Sequence, residues 1–409
     1  MLFVCLVIVF LQAVPRVLGS PATVSLQDRS VGYGDYDHLQ DLVASARSKA
    51  VKLLQRENGT CTRSSLNIRR EWDSFTTDEK KDYISAVKCL QSTPALTPSI
   101  LGSGIKTRFD DFIAAHMNQT LTIHYTGTFL SWHRYYIHLY EKALRDECTY
   151  NGALPYWNWP KTAITGMHAS PIFDGSDTSL SGDGYFIPNQ SDINVAVADL
   201  EPSWIPAGTG GGCVKSGPFV NYTVNLGPVG LVVPGGTVAT NTHNDTGIFS
   251  WNPRCFKRDL TDYVNKNFAN ASSVLYALSY DDIATFQLIF QGISGSLLAG
   301  GDSLGVHGGG HFALGGDPGR DVYVSPGDPA FYLHHAMIDR IWWLWQLQDA
   351  ETRIGGNNTI AGTNTFLNNP PSANTTLEDW IQFGYASGPP RQIKDLLSTT
   401  SGPFCYIYE

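Results

Sequence analysis

The sequence predicts a mainly α-helical fold with long loops and a few short strands. Four segments of the 409-residue chain carry apolar side chains at spacings of three and four, which is typical of helices with one buried face. Residues 160–250 are instead rich in Gly, Pro, Ser and Asn. Charged residues make up only 16% of the chain and aromatic residues 12%, a composition that favours a well-buried globular core.

The first two helical segments lie before residue 92. Residues 21–60 are predicted to be helical in part, from the apolar spacing of Tyr36, Leu39, Leu42, Val43, Ala46, Val51 and Leu53. Between Ser65 and Gln91, Thr76 or Thr77 can cap a second helix, with acidic residues in its first turn. The apolar stripe of that helix is Tyr83, Ile84, Val87 and Leu90.

Two further helices are predicted in aromatic-rich segments, and each of these segments contains a histidine. The third helix covers Phe129 to Asp146, with Phe129, Trp132, His133, Tyr136, Ile137 and Tyr140 on one face. The fourth covers residues 327–348, with His335, Ile338, Asp339, Trp342 and Trp345 sharing a broad face. Between them, residues 160–250 are predicted to be long loops with short strands, stapled by Cys213 and Cys255. Loops of this length are uncommon unless they are functional, so we expect them to form the rim of a substrate cleft.

The N-terminus has the features of a secretory leader. An apolar run from Leu2 to Val14 is broken only by Gln12, and the small residues Val17 and Gly19 suit a cleavage site. The run is too short for a membrane span. We therefore expect residues 1–19 to be a signal peptide and residues 20–409 to be one secreted, soluble catalytic domain.

Cysteines and glycosylation sequons agree with secretion. Six cysteines follow the leader, an even number that predicts three disulfides, although six cysteines allow 15 pairings. Sequons of the form N-x-S/T are common by chance, so we expect several of them, and not all, to carry glycans. They begin at Asn58, Asn118, Asn189, Asn221, Asn244, Asn270, Asn357 and Asn374.

The net charge excludes some classes of partner. The formal charge is −9, and no run of basic residues interrupts the chain. An acidic surface without basic patches argues against binding to nucleic acid or to anionic membranes.

Six of the 11 histidines fall into two triplets: His116, His124 and His133, then His307, His311 and His335. Three imidazoles leave a metal ion with an open coordination position, which is typical of catalytic sites. A lone histidine on an aromatic helix face is more often a core residue, and HGGGH alone favours a flexible loop. The two matching triplets favour a binuclear metal centre. Imidazole ligands suit copper, zinc, iron or nickel.

The residues around the triplets resemble a known family. His124, then Phe129 to Arg134, then Glu141 resemble the copper A motif of the tyrosinase, catechol oxidase and haemocyanin superfamily. A second set of residues resembles the copper B motif of the same superfamily: Asp328, Pro329, Phe331, Tyr332, His335 and Asp339. LPYWNW at 154–159 also matches a family segment. The resemblance runs from Arg69, Arg70 and Trp72 to a Tyr-x-Tyr motif, Tyr406 and Tyr408, and is greatest for short, secreted fungal tyrosinase-like enzymes.

This resemblance implies a four-helix bundle that holds two copper ions, with O₂ as co-substrate and small phenols as substrates. It places the last ligand at His335 and not at His334, which we expect to point elsewhere on its helix, either as a core residue or as a neighbour that supports the ligands. It also implies that no C-terminal shielding domain follows. Asp339, one turn after His335, is expected to accept a hydrogen bond from a ligand ring; a surface salt bridge is the alternative.

Six residues are candidates for control of the substrate, two of them as alternatives for one role. Phe331 is expected to pack near the metals, and Phe312 and Gly308, which each follow a ligand, to face the entrance. Val322 or Val324 is a candidate gate. For each of these, ordinary packing is the alternative. In the family, strong monophenolase activity is associated with Asn and Glu at the positions that correspond here to Gly308 and Gln291.

An amide cannot hold a passing proton as a carboxylate can. The sequence therefore favours oxidation of o-diphenols (or o-aminophenols) to o-quinones over monophenol hydroxylation. Thr122 replaces a cysteine that many fungal tyrosinases link to the second copper A histidine, so His124 must be held by packing and hydrogen bonds. A full tyrosinase, a haemocyanin-like O₂ carrier and a zinc hydrolase are the alternatives. The sequence is compatible with a monomer or a homodimer.

Overall fold

A computed structural model describes residues 33–56, 61–195, 203–292 and 304–409. Helices account for 44% and strands for 12% of the structure, which confirms the mainly helical fold. The predicted signal peptide, residues 1–19, and the Asn58 sequon lie outside the described residues.

The helices within the described ranges occur in three groups along the chain. In order they are α1 (Tyr33–Arg56), α2 (Thr77–Ser92), α3 (Arg108–Ile123), α4 (Phe129–Cys148), α5 (Trp159–Thr165), α6 (Asp262–Phe268), α7 (Ala271–Leu278), α8 (Ile283–Gln291), α9 (Gly305–Leu314), α10 (Phe331–Gln348) and α11 (Ala350–Arg353). The first group, α1–α5, ends at residue 165, before most of the loop-rich segment. The second group, α6–α9, follows that segment, and the third group is α10 and α11.

The strands of these ranges are short and pair two by two, so they form no large sheet. β1 (Asn67–Arg69) and β12 (Tyr406–Tyr408) are parallel and bring the segment after α1 beside the last residues of the chain. The other pairs are antiparallel: β2 (Gly184–Phe186) with β5 (Gly211–Val214), β3 (Ile193–Val195) with β4 (Ser203–Ile205), β6 (Thr223–Val224) with β9 (Arg254–Cys255), β7 (Leu231–Val233) with β8 (Thr237–Ala239), and β10 (Trp380–Ile381) with β11 (Arg391–Gln392).

Local capping decides where α2 begins. The Thr76 hydroxyl accepts a hydrogen bond from the Glu79 backbone N–H at 3.3 Å, and the Glu79 carboxylate accepts from the Thr76 N–H at 2.8 Å. This reciprocal pair satisfies two backbone donors that have no partner inside the helix. Thr76, and not Thr77, is therefore the cap, and the predicted helix is confirmed.

The two predicted aromatic helices are also confirmed, with shifted ends. α4 begins at Phe129 as predicted and runs to Cys148, while α10 begins at Phe331, later than predicted. A 3₁₀ turn at Ser325–Gly327 occupies the residues before it. α3 was not predicted, because residues 108–117 are buried on every side of the helix. A helix that is buried all round lacks the one-sided apolar stripe on which the prediction depends.

The prediction for Asp339 was wrong. Its carboxylate accepts hydrogen bonds from the Arg134 Nε at 2.5 Å and from the hydroxyls of Tyr406 and Tyr408 at 2.6 Å each. Arg69 lies 3.3 Å from the same carboxylate. The carboxylate of Asp339 is thus part of a buried charge network, in which the Tyr-x-Tyr motif takes part, and it accepts no hydrogen bond from a ligand ring.

Glu141 extends this network to α4. Its carboxylate pairs with Arg69 at 2.5 Å, pairs with Arg145, and accepts the Leu154 backbone N–H at 2.9 Å. Burial acts to raise the pKa of Glu141, but the charges of Arg69 and Arg145 outweigh it and lower the pKa to about 2. Arg69 on β1 therefore connects α4 with α10 through two carboxylates.

Three disulfides form, as predicted: Cys61–Cys405, Cys89–Cys148 and Cys213–Cys255. The first lies beside the β1–β12 pair, and the last links β5 to β9 within the loop-rich segment. Buried apolar side chains from Leu39 to Tyr408 form one contiguous core.

We predict that Glu141→Gln destabilises the protein in a pH-dependent manner. With its pKa lowered from 4.5 to about 2, Glu141 contributes stability that is present above pH 4.5 and is lost as the pH falls through 2. The shift corresponds to about 3 kcal/mol. Urea unfolding of the disulfide-intact protein from pH 7 to pH 2 should show the gap between wild type and variant closing below pH 4.5. A gap that is constant with pH would contradict this, and exposed Glu378→Gln is the matched control.

We also predict that the sequon at Asn270 carries no glycan. Asn270 is 1% exposed and caps α7, where its side chain accepts from the Ser273 N–H at 2.8 Å and donates to the Lys266 carbonyl at 2.5 Å. A glycan on this nitrogen would replace one of its two hydrogens and could not fit inside the core, where Asn270 is 1% exposed. Mass spectrometry of glycopeptides from the secreted protein should find Asn270 bare; an occupied Asn270 in folded protein would contradict the structure.

Candidate metal centre

The first histidine triplet is positioned by α3 and α4. His116 lies on α3, His124 follows its last residue, and His133 lies on α4. Each ring uses Nδ1 to bind a backbone carbonyl: His116 binds that of Tyr323, His124 that of Thr120, and His133 that of Phe129, at 2.8–2.9 Å.

These hydrogen bonds fix the tautomers and leave the Nε2 atoms as the acceptors. The Nε2 atoms of His116 and His133 are buried and have no hydrogen-bond partner. Buried polar atoms are nearly always satisfied, so unsatisfied ones need an explanation. A metal ion bound by Nε2, with Nδ1–H held by a carbonyl, supplies it.

The second triplet lies on α9 and α10, and the glycines between its first two members are helical. A flexible loop at HGGGH is therefore excluded. A Cβ on Gly309 would lie 2.9 Å from the Phe268 Cβ, and one on Gly310 would lie 2.2 Å from the His334 ring. Only glycine permits this close approach. On Gly308 a Cβ would meet only the Leu304 Cβ, at 3.2 Å, so this position retains space.

The spacing of two rings in this triplet fits a shared metal ion. The Nε2 atoms of His311 and His335 lie 3.3 Å apart. Tetrahedral ligands about 2.0–2.1 Å from an ion are separated by about 3.3–3.4 Å. The Nε2 of His307 is buried without a hydrogen-bond partner, like those of the first triplet.

His334 lies closer to this group than the sequence predicted. One of its ring nitrogens lies within 4.8 Å of a ring nitrogen of each of His307, His311 and His335, so the expectation that it points elsewhere was wrong. His334 is nevertheless fully buried, as expected for a core residue or a neighbour of the ligands. Its ring packs against Gly310 and lies 5.0 Å from the Trp159 ring. Neighbouring helix positions differ by about 100°, and here α9 passes close enough to touch both histidine rings.

The two triplets face each other. The rings of His133 and His335 stack with centroids 4.5 Å apart and planes 19° apart. The rings of His124 and His307 lie 5.8 Å apart with an interplanar angle of 29°. Four helices, α3, α4, α9 and α10, thus bring two three-imidazole groups into one buried centre.

Burial keeps these imidazoles neutral. Loss of solvation lowers the pKa of His124 to about 4 and that of His311 to about 3. Burial, followed by the proximity of the other histidines, places the pKa values of His116, His133, His307 and His335 well below the ordinary value. Neutral imidazole is the form that binds a metal cation, so protons do not compete near neutral pH.

The other candidate residues occupy different surroundings. Phe331 is fully buried, and its ring stacks on His335 at 4.1 Å. Phe312 is partly buried on α9. Val322 is 42% exposed and lies beside Gly230, whereas Val324 is fully buried against Gly227, which leaves Val322 as the better candidate for a gate.

Gln291 makes contacts that the sequence did not reveal. Its amide oxygen accepts the backbone N–H of Tyr125 at 2.7 Å, and the Tyr125 hydroxyl donates to the Gln291 carbonyl at 3.1 Å. Tyr125 directly follows His124 and has a left-handed φ of 51°. The end of α8 thereby holds the residue next to a candidate ligand, where Thr122 cannot provide a covalent link.

The matching family model is the common central domain of tyrosinase, and it covers residues 106–348, more than half of the chain and all six histidines. The chain belongs to the tyrosinase family. Tyrosinase P of Aspergillus terreus is 38% identical over 348 residues, 84% of this chain and 92% of the relative. N-acetyl-6-hydroxytryptophan oxidase of Emericella nidulans is 38% identical over 383 residues, 91% of this chain and all of the relative.

A solved structure agrees with the family assignment. A glycine-to-asparagine mutant of the polyphenol oxidase from Thermothelomyces thermophila superposes with a TM-score of 0.80 at 40% identity, covering 91% of this chain and 98% of the other. Tyrosinases use a binuclear copper centre with O₂, and the two histidine groups described above fit this cofactor. The chain is a tyrosinase-type copper oxidoreductase.

We predict that Gln291→Leu weakens the second ligand position. The variant leaves the Tyr125 N–H without its acceptor, which costs about 1–3 kcal/mol for a buried donor. Unfolding of the metal-free protein should show this loss, and dialysis against a chelator should remove copper from the variant faster than from wild type. Gln291→Glu keeps the oxygen acceptor and loses only the longer hydrogen bond to the Gln287 carbonyl, 3.4 Å, so it should lose less than Leu in both assays. Equal losses from Leu and Glu would contradict the role of the hydrogen bond to Tyr125.

Proposed function

We propose that His116, His124 and His133 hold one copper ion and that His307, His311 and His335 hold the other. With O₂ as oxidant, the enzyme converts o-diphenols to o-quinones, and also o-aminophenols to the corresponding o-quinone imines, with little hydroxylation of monophenols. The observation that carries this proposal is the pair of facing triplets, in which the buried Nε2 atoms of His116, His133 and His307 have no hydrogen-bond partner.

The bound copper pair supplies the electron transfer, so that two diphenols and one O₂ give two quinones and two waters. The protein residues position the substrate. Phe331 stacks under His335 and fixes that ring, while Gly308 leaves space beside His307 for a phenol. The desolvated centre keeps the imidazoles neutral and excludes solvent from the reacting atoms.

The preference for diphenols is supported by the lack of a carboxylate at the position of Gln291, where a base would assist monophenol hydroxylation. A monophenol must lose its proton, and a carboxylate base contributes about 10²–10⁴-fold to such a step. Gln291 offers an amide, and its oxygen already accepts the Tyr125 N–H. In the described part of the chain, the two groups able to hold a metal contain only histidine, which also argues against a zinc hydrolase with a carboxylate ligand.

A full tyrosinase is the second candidate. One relative carries the name tyrosinase, and another is named for oxidising N-acetyl-6-hydroxytryptophan, which bears a single phenolic hydroxyl. An O₂ carrier without turnover is the least supported alternative.

Secretion forms part of the same proposal: residues 1–19 act as a signal peptide and residues 20–409 as a single domain. Three disulfides and one contiguous core support it. Among the described helices, none has the length and apolar character needed to cross a bilayer.

The test of the activity is O₂ consumption by the copper-loaded protein. We expect catechol to be oxidised without a lag and a matched monophenol roughly 10²-fold more slowly, as the missing base predicts. Comparable rates for the two substrates would favour the full tyrosinase. Reversible O₂ uptake without quinone would favour the carrier.

We predict that Gly308→Asn combined with Gln291→Glu raises monophenol turnover relative to catechol turnover. A Cβ at Gly308 requires the Leu304 Cβ to move by only a few tenths of an ångström, so the variant should fold. The readout is the ratio of the two kcat/KM values at equal copper content. An unchanged ratio in fully loaded protein would contradict the proposed roles, and the two single variants separate the contributions.

A further inference from the structure

A surface groove lies between the loop at Ser103 and residues 243–253. Its volume is about 530 Å³, and its walls are Ser103, residues 243–245 and residues 251–253. Sites of about 300–1,000 Å³ with an aromatic wall and a few polar groups are typical of small-ligand binding. The groove contains none of the six candidate copper ligands.

Trp251 supplies the aromatic wall. It is 47% exposed, although tryptophan is a residue that folding usually buries. Its indole Nε1 lies 3.4 Å from the Asn225 side-chain oxygen, and the Lys106 ammonium lies 4.8 Å from the ring centroid. These contacts hold the ring in place while much of its surface remains open.

Hydrogen bonds hold the loop that faces the ring. The Ser103 N–H donates to the Thr246 hydroxyl at 3.0 Å, and the Trp251 N–H donates to the Ser103 hydroxyl at 3.0 Å. The Thr246 N–H donates to the Ser250 hydroxyl at 3.0 Å. The groove is therefore preformed, and both of its sides are joined through Ser103.

Asn244 lies in this wall, is exposed, and begins the sequon Asn244–Asp245–Thr246. Hydrogen bonds from Ser103 and Ser250 lower the pKa of Asp245, so its carboxylate remains ionised and accepts hydrogen bonds. An N-linked glycan starts with N-acetylglucosamine, whose ring has an apolar C–H face and polar edges. That chemistry matches an indole face bordered by a carboxylate, amides and a histidine.

We propose that Asn244 is glycosylated and that the first sugars of its glycan occupy the groove, with a sugar ring stacked on Trp251. The groove thus binds a glycan that is covalently attached to the same chain, and it is not a second phenol site. This inference rests on the secretion proposed above. It distinguishes Asn244 from the other exposed sequons, of which Asn357 serves as the comparison.

The experiment has two readouts on the full-length secreted protein: glycopeptide mapping and quenching of tryptophan fluorescence by acrylamide. Three tryptophans of the described ranges are strongly exposed, namely Trp204, Trp251 and Trp380. We expect a glycan at Asn244, and Asn244→Gln to raise the number of accessible indoles from two of these three to all three. Asn244→Gln preserves the Thr246 hydroxyl that holds the loop.

Matched variants separate binding of the Asn244 glycan in the groove from other causes of a change in quenching. Asn357→Gln should leave the quenching unchanged, and Asn244→Gln should have no effect on quenching in a Trp251→Phe background. Thr246→Ser keeps both the sequon and the hydroxyl and should behave as wild type. A bare Asn244 in protein that carries glycans elsewhere overturns the proposal and leaves secretion intact. An occupied Asn244 whose removal does not change the quenching overturns it too, and a protein without any glycan or export overturns both.

Discussion

The buried contact of Arg69 with Glu141 and Asp339 is the interaction on which the rest of the structure depends. Arg69 lies on β1, which forms a parallel pair with β12. The two carboxylates that its guanidinium contacts lie on α4 and α10. Asp339 is one turn after His335, and Glu141 is about two turns after His133. The contact therefore fixes, with one side chain, the relative position of two helices that carry opposite triplets.

Burial of such a network costs desolvation free energy, and the network is stable only when every charge has a partner. Arg134 meets this condition on α4: it pairs with Asp339, donates to the Leu397 carbonyl and the Gln346 amide, and stacks over the Trp342 ring at 3.7 Å. Removal of one partner leaves an uncompensated charge in a dry core. The same dry core depresses the pKa values of the histidines, so one desolvated interior both requires the charge network and prepares the metal ligands.

Local signals in the sequence were sufficient for part of this architecture. The capping box at Thr76, the apolar stripes of α4 and α10, and the two triplets could be recognised because each depends on residues close in the chain. α3 was not predicted because residues 108–117 are buried on all sides of the helix. Asp339 was misassigned because its partners Arg69, Tyr406 and Tyr408 are far away in sequence. Gln291 shows the same limit: no local pattern indicates that its amide meets the N–H beside His124. The direction of the His334 ring was predicted wrongly because the close packing of α9 depends on Gly310, whose role appears only in three dimensions.

The central claim, that six particular histidines hold two copper ions, is tested most directly by anomalous diffraction at the copper edge from crystals of the loaded protein. Two peaks are expected, each about 2 Å from three Nε2 atoms, one within His116, His124 and His133 and the other within His307, His311 and His335. A single peak, or a peak coordinated by His334 in place of His335, would contradict the account.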